Sequence, residues 1–208
     1  MNAPLEALRR DLERHPPFRI PRFPGFVRAA VAVVLVPRGD DLALVLIGRP
    51  VKKGDRWAGD IAFPGGLASA DDSSGVATAR REAFEEVGIS LRESFGFLSD
   101  RFTLAPGASR PMRVRPVVFV ATGPFAPTPD PREVAAVYEP TLAELRAAEP
   151  RKVVRQLGRL PLSFDGRALG EHTLWGLTAS MVAELEARIA RGALDLSPSR
   201  SSARSPRP

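Results

Sequence analysis

Apolar residues along this chain follow two rhythms. Val27 to Val36 is a nearly unbroken run of Val, Ala and Leu. Such a run, bounded by turn residues, predicts a buried strand. Arg38-Gly39-Asp40-Asp41 supplies a turn and Leu42 to Ile47 the returning strand. Ile61-Ala62-Phe63 predicts a short strand stopped by Pro64, and Val114 to Ala121 another apolar strand, broken by Gly123 and Pro124. The second rhythm is helical. It runs from about Gly75 to Val87, with Ser73 or Ser74 placed to cap its start and Gly88 placed to stop it. Thr141 to Ala148 predicts a short helix. Trp175 to Ile189 predicts a final one, with Leu177, Met181, Leu185 and Ile189 at four-residue steps forming a core stripe. Strands interleaved with helices predict an α/β (α+β) class, with helices packed on a mixed sheet.

The ends break both rhythms. Residues 1–25 join a helix-like stretch, Leu5 to Arg14, to Pro16, Pro17, Pro21 and Pro24, and are read as an irregular lead-in. A single domain is expected over 26–192. Residues 193–208 end in SPSRSSARSPRP, a composition that predicts a disordered Arg/Ser/Pro-rich tail.

The chain has 208 residues, 44% of them hydrophobic, enough for one domain with a real core. No apolar run approaches the ~18 residues of a membrane span. Met1 to Arg10 contains Glu6 and no apolar signal core. Cysteine is absent, which removes disulfides, thiolate metal sites and a cysteine nucleophile. The expectation is a cytoplasmic protein with no membrane partner. The net charge of +6 lies at the ends: residues 1–28 and 200–208 each carry an excess of three, and the body between is balanced. A nucleic-acid surface would show as a basic, aromatic patch on the body itself. No nucleic-acid partner is therefore expected, and the ends read as mostly solvated.

Candidate chemistry concentrates in one stretch. Gly65-Gly66 forms a glycine turn, Asp72 follows, and then comes Arg81-Glu82-Ala83-Phe84-Glu85-Glu86-Val87-Gly88-Ile89. Glu82, Glu85 and Glu86 stand at i, i+3 and i+4, so a helix puts them on one face. One account is a solvated face, with Arg81 and Glu85 as an i, i+4 pair. The other is a cation site, because like charges this close call for a compensating ion. Mg²⁺ prefers oxygen ligands and commonly holds substrate phosphates. His15 and His172 are isolated and read as incidental.

This pattern resembles the Nudix box. Gly66, Asp72, Arg81, Glu82, Ala83, Glu85, Glu86, Gly88 and Ile89 fill its positions, with Asp72 in place of Glu and one extra residue between Asp72 and Arg81. Both departures also resemble the coenzyme A pyrophosphatase branch. Val45-Leu46-Ile47-Gly48-Arg49, Gly59-Asp60-Ile61-Ala62-Phe63-Pro64-Gly65-Gly66, the strand at 112–120, Glu133-Val134 with Pro140 and Leu142, and Trp175-Gly176-Leu177-Thr178-Ala179 are similar to stretches of that branch. The resemblance implies a Nudix-like mixed sheet sandwiched between helices. It implies a metal-dependent hydrolase of nucleoside diphosphate derivatives, coenzyme A or acyl-coenzyme A foremost, giving adenosine 3′,5′-bisphosphate and 4′-phosphopantetheine. ADP-ribose, a dinucleotide, or a non-catalytic nucleotide-binding role are its alternatives. Glu85 and Glu86 would hold Mg²⁺ or Mn²⁺, and Glu82 would join them or assist the attacking water. Arg81 would orient a carboxylate, Gly65 and Gly66 would admit the substrate, and Asp72 would help hold the loop. Glu133 is a further candidate base or ligand. One departure touches specificity: Trp57 stands where the branch often has histidine. Arg49, Lys52, Lys53 and Arg56 could meet phosphate and Trp57 could stack on adenine, or this could be a solvated loop. Trp175 reads as a core anchor. A homodimer is compatible with all of this.

Overall fold

The computed structural model describes residues 2–51, 59–104, 110–121, 126–157 and 160–194. Lys52, Lys53, Arg56, Trp57 and the tail from 195 lie outside these residues. From the N-terminus come α1 (Ala3–Arg14), β1 (Val27–Arg38), β2 (Asp41–Leu44), β3 (Leu46–Gly48), β4 (Ile61–Ala62), β5 (Gly65–Leu67) and α2 (Gly75–Val87). Then follow β6 (Gly96–Phe97), β7 (Arg101–Leu104), β8 (Pro111–Val120), β9 (Ala136–Tyr138) and α3 (Leu142–Ala147). The chain closes with β10 (Pro150–Leu157), β11 (Leu160–Leu169), β12 (His172–Trp175) and α4 (Gly176–Leu194).

β1 and β8 pair in parallel at the centre of a six-stranded mixed sheet. Their apolar runs are continuous because both faces are covered. Ala30, Ala32, Val34 and Val36 pack with Ala79, Ala83 and Val87 of α2. Val33, Leu35 and Val118 pack with Leu8 of α1 and Met181, Val182 and Leu185 of α4. The sheet is thus sandwiched between helices, as the resemblance implies. The stripe on α4 behaves as expected: Met181 and Leu185 are buried, and Leu177 and Ile189 are partly buried against the same cluster.

The returning strand expected over Leu42 to Ile47 divides at Val45. β2 stays antiparallel to β1, whereas β3 leaves to pair with β4 and β9. A third sheet, β10-β11-β12, has no counterpart in the sequence reading. The lead-in is also more than irregular. Asn2 caps α1, whose Ala7, Leu8 and Asp11 are buried against α4. Asp11 accepts hydrogen bonds from Arg188 (2.8 Å) and Arg191 (2.8 and 3.2 Å). A buried carboxylate matched to two arginines docks this helix, so α1 is not a solvated end.

Candidate active site on helix α2

The helix that carries the carboxylates is set by local chemistry. Ser74 caps it by accepting from the Ala77 N–H at 3.2 Å. Gly88, at φ 68°, ends it, with its N–H bonded to the Phe84 carbonyl and that of Ile89 to Ala83. The apolar stripe Ala79, Ala83, Val87 faces β1, which turns Glu82 and Glu86 toward the strand preceding the helix.

That strand is the pair Gly65-Gly66. The expected turn is instead β5, antiparallel to β1, with Gly65 opposite Val31 and Gly66 opposite Ala30. A Cβ on Gly65 would lie 2.5 Å from the Ala30 carbonyl oxygen, and one on Gly66 would lie 2.6–2.7 Å from the Glu82 carboxylate. The two missing side chains therefore let a strand slip between β1 and the carboxylates. The Gly65 N–H donates to Glu86 Oε2 at 2.8 Å.

Arg81 ties the assembly together. It donates to both Asp72 oxygens (3.3 and 3.1 Å), to the Leu67 carbonyl (2.9 Å) and to Glu85 (2.7 Å), and it pairs with Glu82 at 2.8 Å. Asp72 also accepts from the Ser69 N–H at 2.8 Å. The arginine bonds, followed by that N–H, hold the Asp72 carboxyl below its ordinary range despite some desolvation. Asp72 thus secures the loop, and Arg81 orients two glutamates.

The three box glutamates do not share one environment. Glu86 is buried; desolvation, with repulsion from Glu82 and Glu133, pushes its pKa up to about 8 against the pull of the Gly65 N–H and Arg49. Glu82 is raised by burial and by Glu85 and Glu133, with Arg81 pulling the other way. Glu85 lies outward, its side chain 49% exposed, against Arg81. The exposed Glu133 approaches because its segment docks on the end of α2: the Thr128 and Asp130 N–H groups donate to the Val87 and Glu86 carbonyls. Arg49, at the end of β3, reaches Glu86 electrostatically. Arg56 and Trp57, the other substrate-binding candidates, lie outside the described residues.

Among the described residues no three carboxylates or imidazoles are gathered into a ready cage for an ion. Arg81 lies between Glu82 and Glu85 and supplies positive charge instead. The donor set nevertheless fits a hard divalent cation. Every candidate ligand is a carboxylate, two are partly or wholly buried, and Glu82, Glu86 and Glu133 repel one another. A cation there would relieve the mutual repulsion, and Glu85 would have to leave Arg81 to join. A cavity of about 1380 Å³ between α1 and residues 88–97 is lined by none of these side chains.

Sequence reasoning gave Asp60 no role. Its Oδ1 accepts from the Trp175 indole N–H (3.0 Å) and from Arg155 (2.9 Å). The Arg155 guanidinium stacks on Trp175 at 4.7 Å, and Phe164 packs against the same ring. Trp175 is half-buried, a clasp rather than a core anchor. It joins the third sheet to the base of the 49–60 loop, whose ends meet through hydrogen bonds between Arg49 and Asp60 and between Gly59 and Arg49. The clue in the sequence was an acid beside Gly59 in a stretch otherwise apolar.

Residues 26–157 match the family model described as NUDIX domain. Nudix hydrolase 15, mitochondrial, of Arabidopsis thaliana is 34% identical over 165 residues, 74% of this chain, which spans 56% of that protein's length. Mitochondrial coenzyme A diphosphatase NUDT8 of Mus musculus is 30% identical over 171 residues, covering 78% of this chain and 79% of the mouse protein. The crystal structure of a MutT/nudix family protein from Enterococcus faecalis superposes with a TM-score of 0.56 at 16% identity, over 85% of this chain and 69% of that one, a likeness of fold.

Proposed function

Because this chain belongs to the Nudix hydrolase family, we propose that it hydrolyses the diphosphate linkage of a nucleoside diphosphate derivative, with coenzyme A or an acyl-coenzyme A as substrate. The observation that carries the hydrolase reading is the pair of carboxylates, Glu82 and Glu86, packed against the side-chain-free backbone of Gly65 and Gly66. The mouse relative's name supports coenzyme A. So does the clasp between Asp60 and Trp175, which unites two stretches that resemble the coenzyme A pyrophosphatase branch.

Glu82, Glu85 and Glu86 would hold Mg²⁺ or Mn²⁺, with Glu133 alongside. The bound ion would neutralise diphosphate oxygens and lower the pKa of water. The chain's own residues account for the rest. A carboxylate with raised proton affinity is suited to take a proton from water as its oxygen attacks phosphorus and the bridging P–O bond breaks. Glu82, its pKa raised by burial, is the candidate for that role, and Glu86 is assigned to the ion. Arg81, held by Asp72, fixes the directions of Glu82 and Glu85, and the Gly65 N–H that of Glu86. Arg49 offers a guanidinium to the substrate phosphates.

The test is a substrate panel with Mg²⁺ or Mn²⁺: coenzyme A, acetyl-coenzyme A, ADP-ribose and NADH, products identified by mass. Adenosine 3′,5′-bisphosphate with 4′-phosphopantetheine is the expected pair. Turnover of ADP-ribose with coenzyme A untouched would move the substrate assignment, and no turnover of any compound would leave a binding module.

A further inference from the structure

The sheet face covered by α2 continues past the start of that helix. Ala30 and Ala32 of β1 meet α2, and two residues earlier the same face carries Arg28. Arg28 pairs across the sheet with Arg113 of β8, and Arg113 with Phe102 of β7. In-register neighbours project to one side of a sheet, so these three form a row. The Phe102 ring lies 6.1 Å from that of Phe26, which lies 5.4 Å from Phe23. Phe102 is 55% exposed and Phe23 53%.

The charge beside these rings is uncompensated. Arg22 and Arg28 are exposed, and neither has an ion pair among the described residues. Arg113 donates to the Ile20 carbonyl at 3.0 Å, while its Nε is enclosed without a partner. Burial first, then the neighbouring Arg115, Arg22 and Arg28, depress its guanidinium pKa, although Asp100 pulls the other way. Asp100 is already engaged: both its oxygens accept from Arg115 at 2.9 Å, and Arg19 adds a bond at 3.4 Å. Part of the basic N-terminal segment thus folds onto the body and converges with strand arginines and phenylalanines, an arrangement hidden in the linear charge count.

We propose that Arg22, Arg28 and Arg113 with Phe23, Phe26 and Phe102 form a binding surface for single-stranded nucleic acid. The exposed Arg22 and Arg28 present planar forks to backbone phosphates, and the buried Arg113 beneath them adds positive charge. The exposed rings offer faces to unpaired bases, whose stacking tolerates any sequence. The rings pack on one another beside the strands, whereas a duplex reader needs an element that enters a groove.

The test uses the full-length protein and a 12-nucleotide 5′-fluorescein single strand, as RNA and as DNA, read by fluorescence anisotropy. Binding should weaken with added salt. The Arg22→Ala/Arg28→Ala double variant should bind about tenfold or more weaker and show a shallower log–log salt slope, by about 1.4 for two lost phosphate contacts. Phe102→Ala should weaken binding by about 5- to 100-fold with the salt slope unchanged. Thermal melts confirm the fold of each variant. Wild-type affinity in both variants would overturn the proposal, as would affinity that disappears only when residues 195–208 are removed. Capture by phosphatidylglycerol–phosphatidylcholine vesicles, lost in Phe102→Ala and without any oligonucleotide binding, would instead assign the patch to a lipid surface.

Discussion

A carboxyl group whose pKa is pushed up to about 8 by burial costs the ion-free fold stability at neutrality. Glu86 is buried where desolvation and two like charges oppose ionisation, which marks a residue placed for chemistry. Glu86→Gln preserves shape and leaves an amide oxygen to accept from the Gly65 N–H. Its melting temperature should stay within about 3 °C of the parent or rise, while turnover falls about 100-fold or more; wild-type rates would remove Glu86 from the site. Gly66→Ala acts by a different route. The new methyl would overlap the Glu82 carboxylate, so steady-state kinetics should show kcat reduced about tenfold or more, with a stability loss near 1–3 kcal/mol in urea titration. The identities of Arg81, Glu82 and Glu86 could be read along the chain because the helix repeat is local. Their unequal environments could not, because those depend on β5 and on Glu133, which lies 47 residues beyond Glu86.

Helices show the same division. Both ends of α2 were legible because Ser74 and Gly88 act within one turn of the residues they cap. The docking of α1 was not, since a polar Asp11 among prolines and arginines reads as surface until α4 supplies Arg188 and Arg191. Burial raises the Asp11 pKa, but the bonds from Arg191 and Arg188 outweigh it, so the folded value lies below the ordinary one. Its contribution is therefore complete above the unfolded value of about 3.9 and is lost as pH falls through the lower folded value. Asp11→Ala should cost about 1–3 kcal/mol at pH 7, because the enclosed Arg188 loses one of its two carboxylates and keeps only Glu184 and the His15 carbonyl. Urea titrations at pH 7 and pH 3 should show a smaller pH dependence in the variant than in the parent. A Cβ on Gly192 would collide with the Ala7 carbonyl, so Gly192→Val should release α1, seen as faster hydrogen exchange over residues 3–14 with α2 still protected.

Across the molecule, long-range pairings determine what the pattern alone could not. The central sheet was legible because most of β1 and the second half of β8 are apolar on both faces. The hairpin of β10 and β11 was not, because Val154, Leu162 and Phe164 remain exposed and its strands lack a clean alternation. Asp60 ties Arg155 of that hairpin and Trp175 of β12 to the base of the loop at Arg49. Trp175→Phe keeps an aromatic face but removes the N–H donor with the indole's second ring, so it should lower stability by about 1 kcal/mol or more and raise KM for the proposed substrate more than it lowers kcat. Equal kinetics would show that the clasp is not felt in the loop.

The two-helix layer of α1 and α4 bears on where this protein can be shortened. A fragment trimmed to the family-matched span, 26–157, would cut between the partners of the β10–β11 hairpin and discard Leu8, Leu174, Met181, Val182 and Leu185. One side of the central sheet would be left as a bare apolar slab, and such a polypeptide should collect in inclusion bodies on expression. A span from the first turn of α1 to the last turn of α4 keeps both covering helices, and spectroscopists seeking a compact sample should begin there.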